Sequence, residues 1–234
     1  MNTSVWKVEE NNGANNIKHI LDLLLIEYER IFGDEIMNNE ECIAYNDPQA
    51  NCPMLVTNST PVKIRLAQSS TPYLPQTIYQ LSHELCHYAI RQTKNNKGFT
   101  LSWFEEIVCE AMSLYMLKWS AENWDKHSGL CGEFKRNIKN YLDDELNKTG
   151  TTGFQSCKSV DMLGQYDAER DRESHINERN KLYFEIIKNP KLCSCFCDYE
   201  RYVEDNNITI DFNAWERNDN NPMLRLLFTL QPCN

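Results

Sequence analysis

From Asn16 to Gly33 the chain reads NIKHILDLLLIEYERIFG, with apolar side chains at Ile17, Ile20, Leu21, Leu24, Leu25 and Tyr28. Spacings of three and four put them on one face of an α-helix, and the glycine marks its end. Three short stretches of another kind follow: ECIAY (41–45), CPMLVT (52–57) and PVKIRLAQ (61–68), divided by the turn-rich NDPQAN and NSTP. In the last of them Val62, Ile64 and Leu66 alternate with Lys63, Arg65 and Ala67, the period of a half-buried strand. From about residue 76 the pattern is helical almost to the end. Helices are expected near 76–94, 101–122, 131–147, 168–188 and 191–205, with a short element around 222–230. KNNKG and KTGTTG are the clearest linkers. The expected fold class is therefore α+β. A small N-terminal α/β lobe, residues 1–98, carries a short sheet and the helix 76–94. A mainly helical lobe, residues 99–234, follows, with an active-site cleft between the two in one compact catalytic domain.

Composition narrows the partners. The 234 residues carry a net charge of −10, which argues against nucleic acid or an anionic membrane as the main partner, since both attract basic surfaces. No run of apolar residues approaches the ~18 needed to span a bilayer. The polar start MNTSVWKVEENNGANN has no secretory pattern, so a cytoplasmic setting is expected. There are ten cysteines. Several of them, at 86, 109 and 193, lie inside apolar helical patterns, where a thiol serves as a small hydrophobe. CSCFC (193–197) has single-residue spacers that do not fit the usual zinc spacing.

The chemistry begins at QLSHELCHYAI (80–90). On a helix His83 and His87 fall ~40° apart, so both imidazoles can reach one ion. Ile78, Leu81, Leu85, Tyr88 and Ala89 cluster on nearly the opposite side. Glu84 projects beside the histidines, in position to act on a metal-activated water. Such a site needs a third protein ligand and an open position. SWFEEIVCEAMSLYML (102–117) offers Glu106, separated from His87 by eighteen residues, and Glu110 one turn later on the same face. Both lie among apolar residues, where carboxylates are costly unless compensated. A zinc ion would compensate one, and a metal-bound histidine ring could engage the other. Glu105 points elsewhere on the wheel and is expected to stand outside this pair.

HELCH, eighteen residues, and then the glutamate of WFEE resemble the gluzincin zinc metallopeptidases, and the short chain is most similar to their minimal bacterial or phage-type members. The resemblance covers about residues 76–118. It implies that His83, His87 and Glu106 bind Zn²⁺, that Glu84 is the general base, and that Glu110 is the acid supporting a histidine ligand. The substrate it implies is a peptide or protein. An extended peptide would pair with PVKIRLAQ as an added strand, if that strand forms a sheet edge. No GxMEN motif is present, and Thr93 stands where a third histidine would complete HExxHxxGxxH.

The expected reaction also needs a donor for the oxyanion. QYDAERDRESHINERNKLY (165–183) contains His175 with Asp171 four residues before it, a helical spacing at which the carboxylate could orient the ring. Arg179, Tyr166 and Tyr183 are alternatives, and a solvated helix with charge pairs is the plainer reading of the stretch. Two other functions stay open: a zinc-binding, hydrolase-like fold with a non-peptide substrate or a non-catalytic binding role, and a helical interaction protein without metal.

Overall fold

The structure is a computed structural model and describes residues 5–9, 14–69, 73–127, 133–169 and 173–232. The alternation seen in the sequence becomes a four-stranded sheet: β1 (Trp6–Val8), β2 (Cys42–Asn46), β3 (Met54–Val56) and β4 (Val62–Leu66), in the order β1-β2-β4-β3. β1, β2 and β4 are parallel, and β3 runs antiparallel to β4. Cys42, Ala44 and Asn46 pair with Val62, Ile64 and Leu66, and all six are buried. Lys63 and Arg65 turn to the other, half-exposed face. β4 is therefore an inner strand. Of the two readings open for PVKIRLAQ, a sheet edge or an ordinary core strand, it is the core strand: the edge beside it is β3, because CPMLVT folds back to cover it.

The helices are α1 (Ala14–Phe32), α2 (Asp34–Met37), α3 (Leu74–Thr93), α4 (Ser102–His127), α5 (Glu133–Leu146), α6 (Val160–Glu169), α7 (Ile176–Ile186), α8 (Phe212–Asn218) and α9 (Met223–Leu230). The single helix expected over 168–188 is interrupted. α6 ends at Glu169, and a short 3-10 turn, Glu173–His175, precedes α7. The stretch expected as a helix over 191–205 is a 3-10 helix, Pro190–Tyr202. α4 buries apolar side chains on all sides, among them Phe104, Val108, Met112, Leu114 and Met116, as a helix through the middle of a core must. The buried apolar residues form one continuous cluster from Trp6 to Leu230. Among the described residues no helix is long and apolar enough to cross a membrane.

Candidate metal centre

α3 is locked in register from both ends. At its start, Pro75 occupies the first turn, where a missing N–H costs nothing. The buried Gln80 amide then pairs with both the N–H and the C=O of Ala67, each at 3.0 Å, as a neighbouring strand would. Thr77 donates to Gln68 at 3.0 Å, and the Gln68 N–H donates to Asn46, tying the helix to β2 and β4. In the middle, the Tyr28 hydroxyl of α1 donates to the Ser82 carbonyl at 2.5 Å. At the far end Thr93 donates to the Cys197 carbonyl at 2.7 Å, and the Glu200 carboxylate accepts from the N–H groups of Asn95 and Asn96. These ties fix where His83, Glu84 and His87 stand.

The wheel put both histidines on a face away from the apolar stripe. That face is not solvated, because α4 covers it: His83 is 1% and Glu84 2% exposed. Among the described residues, His83, His87 and Glu106 form the one group of three ligand-type side chains whose donor atoms converge. The two Nε2 atoms lie 3.1 Å apart. His83 Nε2 is 3.3 Å from Glu106 Oε2, and His87 Nε2 is 3.5 Å from Glu106 Oε1. Two ligands on one tetrahedral zinc, each bonded at 2.0–2.1 Å, stand about 3.3 Å apart. The donor set is thus spaced for such an ion. The His87 and Glu106 side chains are partly exposed, at 15% and 13%, so the group is open on one side.

The electrostatics favour a cation at this point. Burial works against a charged His87, but Glu105 and Glu106 outweigh it and hold the imidazolium pKa well above its ordinary value. Burial likewise works against an ionised Glu106, and the two histidines overcome it and hold that pKa well down. Two ring nitrogens and a carboxylate oxygen in contact are thus satisfied by positive charge, whether a proton or a metal ion.

Glu105 does what was expected of Glu110. Its carboxylate accepts from His87 Nδ1 at 3.1 Å, which leaves Nε2 turned towards His83 and Glu106. Lys94 and Tyr199 both donate to its other oxygen. Lys94 also donates to the Phe99 carbonyl at 2.8 Å and lies 5.2 Å from the centre of the Tyr199 ring. Burial disfavours ionisation of Glu105, but His87 and Lys94 hold its pKa below the ordinary value. The assignment of Glu110 to a histidine ligand is corrected for a simple reason: α3 and α4 run antiparallel. A residue one turn further along α4 meets α3 one turn earlier, at Tyr79 and Gln80, with which Glu110 lines a pocket. Its ion contacts among the described residues are His175 and Arg179, each at 3.7 Å, and it makes none with the imidazole of His83 or His87. His83 Nδ1 is buried without a hydrogen-bond partner.

His175 is buried in the short turn before α7. Its Nδ1 is hydrogen-bonded to the Tyr166 hydroxyl at 2.6 Å, and its Nε2, which has no hydrogen-bond partner, faces Glu110. Asp171 lies outside the described residues. Arg179 is buried beside Glu110 and Glu145, and Tyr183 is buried further along α7. The cysteines of CSCFC are all buried, and burial pushes the thiols of Cys193, Cys195 and Cys197 well up. They are protonated packing groups that form no disulfide. Sequence reasoning missed Lys94 and Gln80. The signal for Lys94 was its place two helical turns after His87, on the same face.

No family model matches the chain, and no curated protein or solved structure is detectably similar to it.

Proposed function

We propose that the chain is a zinc-dependent hydrolase of the gluzincin type that cuts peptide bonds. The observation that carries this is the convergence of His83, His87 and Glu106 at spacings that suit one tetrahedral ion. Zinc held there would supply Lewis-acid polarisation of a carbonyl and a water of lowered pKa. Glu84 is the proton carrier. Its carboxylate is buried, accepts no hydrogen bond among the described residues, and lies within one helical turn of both histidines. Its oxygens are not sealed off from solvent, so a water can reach them. It would take a proton from the attacking water and deliver it to the leaving amine. His175 is the donor for the oxyanion, since its buried Nε2 is unpaired and Tyr166 fixes the ring. The substrate would lie in a cleft between the sheet and the C-terminal helices, extended along β3, whose preceding residue Pro53 lines the pocket beside α3 and α4.

The test is a pair of measurements on purified protein. Elemental analysis should give about one zinc per chain, lost in the His83→Ala, His87→Ala double variant. Glu84→Gln should keep zinc and fold but lose peptide hydrolysis by about a thousandfold or more. Normal turnover in Glu84→Gln, or full zinc occupancy in the double variant, would overturn the reading. Zinc binding with no cleavage of any peptide by the wild type would leave a zinc site that serves another substrate.

A further inference from the structure

A pocket of about 470 Å³ opens one helical turn from the ligand set, on both helices. On α3 it is lined by Gln76, Tyr79 and Gln80, which precede His83. On α4 it is lined by Glu110, which follows Glu106. Its size falls within the roughly 300–1,000 Å³ of small-ligand sites. A group bound there would belong to a residue close to the bond under attack.

The lining has a definite chemistry. Tyr79, Tyr141 and Ile176 give it apolar walls, and Glu110, Glu145 and Glu173 give it three carboxylates against the two cations Arg179 and Lys148. Those cations are already engaged. Arg179 donates to the Glu145 carbonyl at 2.8 Å, to its carboxylate at 3.4 Å and to Asn180 at 3.2 Å. Lys148 donates to Glu145 at 2.7 Å. Glu110 is different. It is 4% exposed and faces the pocket, yet it accepts no hydrogen bond among the described residues, its nearest cations standing off at 3.7 Å. Its oxygens are not closed off from the pocket, so a donor bound there would reach them.

We propose that this pocket binds a cationic group of the substrate, an ammonium or guanidinium, with its charge on Glu110 and its aliphatic stem along the wall that Tyr79 and Tyr141 form by packing edge to face, ring centres 6.1 Å apart. The inference rests on the peptidase reading for the kind of molecule that brings the cation. An anionic side chain would meet the Glu110 carboxylate, with Arg179 and Lys148 both held by Glu145. A neutral apolar one would fill the walls but leave Glu110 without a donor. Long cationic side chains suit such a site, because their stems pack on apolar surface and their heads favour tyrosine faces. A free α-amino group offers the same charge without the stem.

The decisive experiment is binding to wild-type protein kept metal-free with a chelator, so that neither zinc nor turnover enters the readout. Blocked peptides Ac-Ala-Ala-X-Ala-Ala-NH₂, with X lysine, arginine, norleucine or glutamate, are titrated by NMR beside unblocked pentaalanine amide and its acetylated twin. At least one cationic form should bind about tenfold or more tighter than its neutral twin, the scale of a charge-assisted hydrogen bond, and the glutamate peptide should bind weakest. A gain for lysine and arginine assigns the cation to a side chain. A gain confined to the unblocked peptide assigns it to the α-amino group. Glu110→Gln, checked for fold by circular dichroism, should bring the preferred peptide to within about twofold of its neutral twin. Equal affinities in the wild type, a preference for norleucine or glutamate, or a cation preference that survives in folded Glu110→Gln would each overturn the proposal. If the preference holds while the protein neither takes up zinc nor cuts peptides, the peptidase reading fails alone.

Discussion

Glu105 and Glu106 are adjacent in sequence, point in different directions, and meet the same histidine. Glu106 contacts His87 through Nε2 and Glu105 through Nδ1. Glu106 lies in the convergent group, as directions around the axes of the helices lead one to expect. The helical wheel excluded Glu105 wrongly, because it does not say how far round α4 a ring from α3 can reach. Glu105→Ala is expected to weaken zinc affinity by about 10–100-fold, measured by competition with a chelator. Lys94→Met should act differently. It leaves the buried Glu105 charge with fewer partners, and a broken buried pair costs about 3–5 kcal/mol. That loss should appear as a lower urea midpoint at unchanged slope, even without metal. His83, Glu84 and His87 were legible because all three lie on one helix, where four-residue spacing fixes proximity. The placing of Glu110 was not legible because α4 runs antiparallel to α3, and because its ion contacts, His175 and Arg179, come from the turn before α7 and from α7 itself, which no local periodicity reports.

At the scale of elements, α3 carries both histidines, and its register depends on a side chain that imitates a strand. Gln80 completes the backbone pairing of Ala67 just beyond β4. Gln80→Ala removes both bonds and should lower stability by roughly 1–3 kcal/mol, read from chemical denaturation of the metal-free protein. Long periodic elements were visible in the sequence: α1, α3, α4, α5 and α9 lie close to where the pattern puts them. The short strands β2, β3 and β4 also fall at the three strand-like stretches, whereas β1, α2, α8 and the 3-10 segments were not foreseen. β1 has three residues, too few to show alternation, and is held by Trp6, whose indole N–H donates to the Met37 carbonyl at 2.9 Å. The segment 190–202 carries buried residues at 193, 195, 196, 197 and 199. That density fits a tight 3-10 coil wedged among other elements as well as it fits an α-helix.

At the scale of the molecule, the candidate site is set within the single core and does not hang from its surface. α3 and α4 both contribute to the cluster that runs from Trp6 to Leu230. Zinc bound across them should therefore stabilise the whole fold. At a free concentration a hundred times its Kd the gain is about 2.7 kcal/mol, or roughly 5–10 °C in Tm for a chain of this length. Differential scanning fluorimetry should show one transition moving upward, and no shift in the His83→Ala, His87→Ala variant. The antiparallel pairing of two consecutive helices has a consequence in time as well as in energy. All three candidate ligands fall between residues 83 and 106, and the connection between the helices, residues 94–101, is short. Closing so small a loop costs little entropy, and such local contacts form early on the way to the native state. A metal clasping this hairpin in the transition state would quicken refolding as well as retard unfolding.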